Sequence, residues 1–309
     1  MRDMEPDLSV RVGPLRLKNP VLAASGTFGY GREYESLFDP SLLGGIVVKG
    51  LSLHPRAGNP PPRIVETPCG MLNAIGLANI GVERFLEEKL PWLQRLDTAV
   101  VVNIYGHSVE EYGEVAGALR GVDGVDALEV NISCPNVKQG GMAFCTDPDV
   151  SARVAETVLA RSDKPVIVKL SPNVTDIREP AVAVEKAGAH ALSLINTLTG
   201  MVVDVETRRP VLANVKGGLS GPAIRPVAVR MVYEVVEAVR IPVIGVGGIT
   251  TGRDALEFLI TGARAVEVGT AGFADPLATM RILEDLSGFC RSRGIERLET
   301  VIGTLETGG

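Results

Sequence analysis

Eight short apolar segments recur along the chain, and a stretch with helical periodicity lies between most of them. The segments begin near Asn19, Gly44, Ala99, Ala127, Pro165, Ala191, Ile241 and Ala265. Strands that alternate with helices form a parallel sheet covered on both faces, and eight such units permit closure into a barrel. The pattern therefore predicts an α/β protein with a (β/α)8 TIM barrel fold.

The segment before the first predicted strand, LSVRVGPLRLKNP, alternates apolar and polar residues around Gly13 and Pro14. This pattern predicts a β-hairpin, which we expect to plug the floor of the barrel. Strand and helix signals then run evenly through the chain, and no linker-like segment interrupts them. We therefore expect residues 1–309 to form a single domain.

Composition argues against several other classes of protein. Hydrophobic residues make up 45% of the chain and charged residues 22%, which provides ample material for a packed core. The net charge of −6 and the lack of a basic tract argue against nucleic acid or an anionic membrane as a partner. No apolar run approaches the roughly 18 residues of a membrane span, and the N-terminus does not resemble a signal peptide. We expect a cytoplasmic protein without a metal site, whose four cysteines are free thiols: Cys69, Cys134, Cys145 and Cys290.

Polar residues and glycines stand at the C-terminal ends of the predicted strands. Any one of them could simply satisfy loop backbone, but in a barrel these ends meet on the face where active sites are built. Their convergence therefore predicts a ligand site. The residues are Ser25, Lys49, Asn103, Asn131, Lys169, Asn196 and the pairs Gly247-Gly248 and Gly269-Thr270.

The two glycine-containing pairs end the seventh and eighth strands, where barrels commonly bind phosphate through backbone N–H groups. Gly221, which precedes Pro222 at a predicted helix start, provides a further N–H group. We therefore expect a phosphate-bearing ligand. The segment GVGGI lacks the GxGxxG spacing of a dinucleotide fingerprint.

The other strand-end residues suggest the chemistry of the rest of the site. Lys49 and Lys169 are suited to an anionic ligand or to Schiff-base formation, while Asn73, Asn131 and Asn196 suit a planar, amide-bearing molecule. Residues 133–148 lack helical periodicity and contain Gly140-Gly141, which predicts a mobile lid loop after strand 4. Cys134 stands at the start of this loop and, with no histidine at a strand end, is the best candidate for a general base.

Several longer segments resemble the dihydroorotate dehydrogenase family over nearly the whole chain. The resemblance rests on NPVLAASGTFGYGREY, IVVKGLSLHPRAGNPPPRIVET, GMLNAIGLAN, NISCPNVKQGG, INTLTGMVVDVETRRPVLAN, GVGGI and EVGTAGF, in this order. The cysteine in the NxSCPN loop resembles that of the soluble class 1 enzymes, whereas the membrane-linked class 2 enzymes have serine at this position. NVKQGG and NAIGL resemble class 1B, the NAD-linked type.

This resemblance implies FMN as the phosphate-bearing ligand and dihydroorotate as the substrate, oxidised to orotate in pyrimidine biosynthesis. Cys134 would remove a proton from substrate C5 while hydride leaves C6 for the flavin, and Lys169 would remain charged near flavin N1. The implied FMN-binding residues are Ser25, Lys49, Gly50, Asn103, Asn131, Lys169, Ile195, Gly221, Gly247, Gly248, Gly269 and Thr270. The implied substrate-binding residues are Lys49, Asn73, Ala74, Ile75, Gly76, Leu77, Asn131, Asn196 and Thr197.

The class 1B resemblance also implies an electron-transfer partner, because this sequence has neither an NAD fingerprint nor iron–sulfur ligand spacing. The partner subunit would carry FAD and a [2Fe–2S] cluster, and two copies would join a homodimer of this chain in a heterotetramer. One departure from the family pattern is Cys145, which stands where class 1B chains usually have glycine. Three alternatives stay open: a fumarate-dependent class 1A-like enzyme acting alone, a Schiff-base aldolase using Lys169, and a non-catalytic flavin- or phosphate-binding module.

Overall fold

The computed structural model describes residues 5–132 and 147–308. In chain order its strands are β1 Val10–Val12, β2 Leu15–Leu17, β3 Val21–Ala23, β4 Gly45–Val47, β5 Ile64–Thr67, β6 Gly70–Asn73, β7 Ala99–Ile104, β8 Ala127–Asn131, β9 Val166–Lys169, β10 Ala191–Leu194, β11 Leu198–Gly200, β12 Val203–Asp204, β13 Arg209–Pro210, β14 Gly217–Ser220, β15 Val243–Val246 and β16 Ala265–Val268. The α-helices are α1 Gly81–Glu88, α2 Leu90–Leu93, α3 Val109–Ala118, α4 Pro148–Arg161, α5 Arg178–Lys186, α6 Arg225–Ala238, α7 Gly252–Thr261, α8 Ala271–Ala274 and α9 Ala278–Arg293. Short 3-10 helices cover Arg32–Tyr34, Pro40–Leu42, Pro222–Ile224 and Leu298–Val301.

Eight parallel strands close into a barrel in the order β3, β4, β7, β8, β9, β10, β15, β16, and β16 pairs with β3. These are the eight strands that the sequence predicts. Most are buried along their whole length, because helices cover the outside and side chains fill the inside. The (β/α)8 prediction is therefore confirmed.

The predicted N-terminal hairpin is formed by β1 and β2, which pair antiparallel around a turn at Gly13. Gly13 has φ +58°, a conformation that favours glycine, and a Cβ there would lie 2.8 Å from the carbonyl oxygen of His190. The hairpin's apolar face packs with inward-facing residues of the barrel strands, among them Leu22 and Ile167. The hairpin therefore closes the barrel floor and leaves the C-terminal face open to ligands.

A second sheet lies beyond the C-terminal ends of the barrel strands and is not anticipated by the sequence. It contains four antiparallel strands in the order β11, β14, β6, β5. The strands come from the connections that follow β4 and β10, and Asn73 pairs in register with Gly218. The sheet therefore brings two distant loops together beside the predicted site. The small two-stranded ribbon β12–β13 extends from the same region.

Candidate active site

Five polar side chains meet inside the barrel and form what we call the central polar cluster: Asn103, Glu129, Lys169, Ser193 and Glu267. All are buried, and none is more than 5% exposed. Lys169 Nζ lies 2.8 Å from Glu267 Oε2 and 3.3 Å from both carboxylate oxygens of Glu129. Strands β8, β9 and β16 supply these three charged groups, so closure of the barrel is what assembles them.

The cluster fixes the charge of its members. Burial alone would lower the pKa of Lys169, but the carboxyl groups of Glu129 and Glu267 together raise it above the usual lysine value. Burial and the nearby Glu129 raise the pKa of Glu267 to about 8. Burial acts to raise the pKa of Glu129 as well, but Lys169 and several hydrogen bonds hold it below its usual value. Lys169 is therefore an ammonium at neutral pH. A Schiff base needs a neutral amine, so this environment counts against the aldolase alternative.

Sequence reasoning identifies Lys169 and Asn103 but misses Glu129, Ser193 and Glu267. Each of the three interrupts an apolar strand segment, in ALEVN, ALSL and AVEV respectively. Charged residues are rarely buried without a partner. A glutamate inside a segment that is predicted to be buried therefore indicates a buried polar contact, and this was the signal available for Glu129 and Glu267. The partner of each glutamate is Lys169, which lies on another strand.

A second group of predicted residues lies where β3, β4 and β7 end. Ser25 Oγ donates to the carbonyl of Val48 at 2.9 Å, and the Lys49 ammonium lies 3.9 Å from a Cβ built on Gly26. Lys49 is half-buried, and in the part of the chain that the structure describes it makes no ion pair. Burial lowers its pKa, and the positive charge of Arg63 lowers it further. A partly desolvated cation without a counter-ion is well suited to bind an anionic group.

Beside this lysine, the side chain of Asn103 connects the rim to the central polar cluster. Its Nδ2 donates to Glu129 at 2.5 Å, whereas its Oδ1 is buried and has no hydrogen-bond partner among the residues that the structure describes. A Cβ on Gly50 would lie 2.6 Å from that oxygen, so only glycine leaves the space open. A buried acceptor without a donor is uncommon and fits a ligand that supplies an N–H group.

The glycines at the ends of β15 and β16 come together with the start of α6. Gly248 has φ +73°, and a Cβ there would lie 2.8 Å from the backbone nitrogen of Arg225, the first residue of α6. Gly221 has φ +99°, and a Cβ on it would lie 3.6 Å from Thr270 Cγ2. Within the described ranges, the backbone N–H groups of Gly248 and Thr270 donate to no protein acceptor. These three backbone segments lie together, which is the arrangement that a phosphate-binding loop would require.

The remaining predicted FMN residues link these groups around the barrel. The N–H of Ile195 donates to the carbonyl of Val246 at 2.8 Å, and a Cβ on Gly247 would lie 3.4 Å from Ile195 Cγ1. Gly269 follows β16, and a Cβ on it would lie 3.3 Å from the Cβ of Ala24, which follows β3. The predicted cofactor residues thus occupy a nearly continuous path along the C-terminal face.

Two pairs of amide groups lie at the same face. Asn196 Nδ2 donates to Asn131 Oδ1 at 3.3 Å, and Asn73 Nδ2 donates to the carbonyl of Gly218 at 3.4 Å. Gly218 lies against Thr197, since a Cβ on this glycine would overlap Thr197 Oγ1. The second sheet therefore brings the predicted substrate residues of the β6 and β10 connections together.

The segment that follows Asn73 is held by a buried hydrogen-bond network. The Tyr105 hydroxyl donates to the carbonyl of Leu77 at 2.8 Å, and Asn79 Nδ2 donates to the same carbonyl at 2.9 Å. Gly76 and Leu77 have positive φ values of +73° and +59°. Sequence reasoning did not identify Tyr105 or Asn79, both of which fix the shape of the predicted substrate segment.

The predicted base Cys134, the departure Cys145 and residues 133–146 of the predicted lid lie outside the described residues. The predicted loop extends to residue 148, where helix α4 already begins. Asp147 is the N-cap of α4, and Pro148 is the first residue of that helix. Cys69 and Cys290 are free thiols, as expected. His190 has a structural role, since its Nδ1 accepts from the N–H of Val166 at 3.0 Å. Within the described residues, no helix is long and apolar enough to cross a membrane.

Comparison with known proteins identifies the family of this chain. The family model for dihydroorotate dehydrogenase matches residues 7–289. The chain is 58% identical over 301 residues to a protein from Citrifermentans bemidjiense, with 97% of this chain and 99% of the relative covered. Identity is 57% over 303 residues to relatives from Geotalea uraniireducens and Trichlorobacter lovleyi, with 98% of this chain covered in each case. All three relatives are named dihydroorotate dehydrogenase B (NAD(+)), catalytic subunit. The chain belongs to the dihydroorotate dehydrogenase family.

Proposed function

We propose that this chain is the catalytic subunit of an NAD-linked dihydroorotate dehydrogenase that oxidises dihydroorotate to orotate in pyrimidine biosynthesis. One observation carries the proposal: a group of backbone N–H groups suited to a phosphate lies on the same barrel face as Lys49, which is half-buried and has no ion pair among the described residues, and the buried ammonium of Lys169 lies beneath them. Residues 1–309 act in this proposal as one FMN-binding domain.

The described residues fit FMN at both of its ends. The N–H groups near Gly248, Thr270 and Gly221 are suited to the phosphate. The Oδ1 of Asn103, which has no partner in the described part of the chain, and the ammonium of Lys169 are suited to the polar edge of the ring system. Ser25, Lys49, Gly50, Asn131, Ile195, Gly247 and Gly269 complete the proposed cofactor site.

The substrate residues would bind and orient a small, planar anion. The Lys49 ammonium would pair with the carboxylate of dihydroorotate, because this lysine has no carboxylate partner in the described parts of the chain. The amides of Asn73, Asn131 and Asn196, together with Thr197, would hydrogen-bond the ring amides. The segment Ala74, Ile75, Gly76 and Leu77 would enclose the substrate.

Proton removal from substrate C5 is assigned to the thiol of Cys134, on the strength of its place in the NISCPN segment. Bound FMN supplies the acceptor for the hydride that leaves C6. Lys169 would hold positive charge where negative charge accumulates during the reaction, and its surroundings keep it protonated.

The electron acceptor is assigned from the relatives, whose name specifies NAD(+) and describes a catalytic subunit. We propose that a second subunit carrying FAD and a [2Fe–2S] cluster accepts the electrons. A homodimer of this chain would bind two such subunits in a cytoplasmic heterotetramer. The alternative is a class 1A-like enzyme that uses fumarate and acts alone. It would be favoured if the purified chain oxidised dihydroorotate with fumarate as fast as the complex does with NAD⁺.

The function is tested by recording the visible spectrum of the purified chain and then adding dihydroorotate without oxygen. We expect a yellow protein whose flavin band bleaches, because the FMN and substrate sites belong to the same chain. Orotate released in the same sample should equal the flavin reduced. A colourless chain that takes up no added FMN would contradict the proposal.

The phosphate site predicts the effect of Gly248→Ala. We expect FMN affinity to fall at least tenfold, because the new Cβ would push against the backbone of Arg225 and displace the N–H groups of the loop. The positive φ should cost about 1–3 kcal/mol of stability in addition. FMN fluorescence titration and urea unfolding measure the two effects.

Gly288→Ala is the matched control for this substitution. Gly288 lies on α9, and nothing lies within 4 Å of a Cβ built on it. Alanine should therefore leave FMN affinity unchanged and favour the helix slightly. Equal FMN affinity in the Gly248 variant and the control would show that the phosphate lies elsewhere.

A further inference from the structure

The two glutamates of the central polar cluster have no assigned role in the proposed reaction, and their surroundings differ. Glu129 is fully buried and accepts from Asn103 at 2.5 Å, Ser193 at 2.7 Å and Lys169 at 3.3 Å. Glu267 is 1% exposed, and its partners among the described residues are Lys169, at 2.8 Å, and the Glu129 carboxyl group, with which it shares a hydrogen bond. Glu129 is thus surrounded by donors, whereas Glu267 is not.

The charges of the cluster do not balance unless one carboxyl group carries a proton. Two ionised carboxylates and one ammonium would leave a net negative charge in the barrel interior, which is strongly unfavourable. Carboxyl groups in hydrogen-bond contact also resist ionising together. Because Glu129 already accepts three donors, the proton belongs on Glu267, where it also completes the hydrogen bond between the two carboxyl groups.

We propose that Glu129 and Glu267 are positioning residues that hold Lys169 as an ammonium toward the flavin, and that the proton shared by the two carboxyl groups responds to the flavin's charge. This inference rests on the proposed function and extends it to the control of the flavin potential. Neither glutamate needs to touch the flavin, since both act through Lys169.

The response follows from electrostatics inside the barrel. When negative charge accumulates on the flavin side of Lys169, the ammonium is shared with a further anion, and Glu267 binds its proton more tightly. Among the described residues, the charged groups that face Glu267 are Glu129 on β8 and Lys169 on β9. Its register neighbours on the adjoining strands β3 and β15 are Leu22 and Val246, neither of which titrates. Reduction should therefore take up an additional proton in the pH range where Glu267 of the oxidised protein begins to ionise.

The test is the flavin midpoint potential, measured from pH 6 to pH 10 in the wild-type chain and in Glu267→Gln. Glutamine resembles the protonated acid but cannot ionise. The wild-type potential should fall more steeply above about pH 8, the pKa of Glu267, than that of the variant. Uptake of one additional proton changes the two-electron equilibrium constant tenfold per pH unit. The wild-type potential should therefore fall by up to about 30 mV per pH unit more than that of the variant. Equal slopes in the two proteins, with FMN bound in both, would overturn the proposal.

Two further variants complete the experiment. Glu129→Gln leaves Glu267 as the single counter-ion of Lys169, so it should lose the same additional slope; retention of that slope would contradict the shared proton. Glu234→Gln, on the exposed face of α6, is the matched control and should keep the wild-type slope.

A measurement without flavin separates this inference from the proposed function. The folded state raises the pKa of Glu267 from 4.5 to about 8, so it binds the proton more tightly than the unfolded chain does. The contribution of that proton to stability is complete below pH 4.5 and is lost as pH rises toward about 8. The melting temperature of the FMN-free wild type should therefore fall over this range relative to that of Glu267→Gln. Parallel melting curves would exclude the shared proton, whereas a chain that binds no FMN would exclude the proposed function.

Discussion

Replacing Cys134 with alanine is expected to slow flavin reduction by dihydroorotate by about 10²–10⁴-fold, the usual contribution of a general base. The proton on substrate C5 would then have to leave without an acceptor provided by the protein. FMN content and the visible spectrum of the oxidised protein should remain unchanged, because the proposed cofactor residues are intact. Anaerobic stopped-flow measurement of flavin bleaching gives the rate directly.

Cys69→Ala is the matched control for this experiment. Cys69 is an exposed free thiol in the turn between β5 and β6, and its role in the structure is a backbone hydrogen bond from Ala223 to its carbonyl. Its removal should leave the rate of flavin reduction at the wild-type value. A Cys134→Ala variant that reduces its flavin at the wild-type rate would transfer the role of base to another group.

Replacing Lys169 with methionine is expected to destabilise the chain by about 3–5 kcal/mol, the usual cost of removing one partner from a buried ion pair. Methionine fills a similar volume but leaves Glu129 and Glu267 without a cation in the barrel interior. The variant should also bind FMN more weakly, because the ammonium proposed to face the flavin is absent. Urea unfolding of the FMN-free chain measures the loss of stability, and fluorescence titration measures the loss of affinity.

The pH dependence of that loss has a definite sign. Lys169 holds the pKa of Glu129 below its usual value, so this part of the stability is present above pH 4.5 and is lost as pH falls through the lowered pKa. The difference between wild type and variant should therefore shrink in acid. Lys18→Met removes an exposed lysine paired with Asp97 and should cost less than about 1 kcal/mol. A similar small loss for Lys169→Met at neutral pH would mean that the cluster is not held by its charges.

The barrel strands and the floor hairpin were predictable because their signals are local. Each barrel strand is a short apolar run with a glycine or a polar residue near its end, and the hairpin alternates around Gly13. The candidate site was predictable to the same extent, since the ends of parallel strands must meet on one face. Lys49, Asn131 and Asn196 were placed on that face from this rule alone, and their part in binding stays a prediction.

The second sheet and the glutamates of the central polar cluster were not predictable in the same way. Strands β11 and β14 are three and four residues long and contain several glycines, so neither carries a strand signal by itself. The pairing of β14 with β6 joins positions such as Asn73 and Gly218, which are 145 residues apart. Glu129 and Glu267 each read as an interruption of an apolar run until barrel closure places both beside Lys169.

That placement has a consequence for how the barrel closes in the correct register. Strand β16 is the last to be synthesised, and it joins the two ends of the sheet by pairing with β15 and β3. A slip of one residue would turn Glu267 toward the helices and place Val266 or Val268 inside, because successive side chains of a strand face opposite sides. Apolar packing alone would tolerate such a slip, since both faces of β16 are buried. The Lys169–Glu267 contact penalises it, so the buried charges select a single way of closing the barrel.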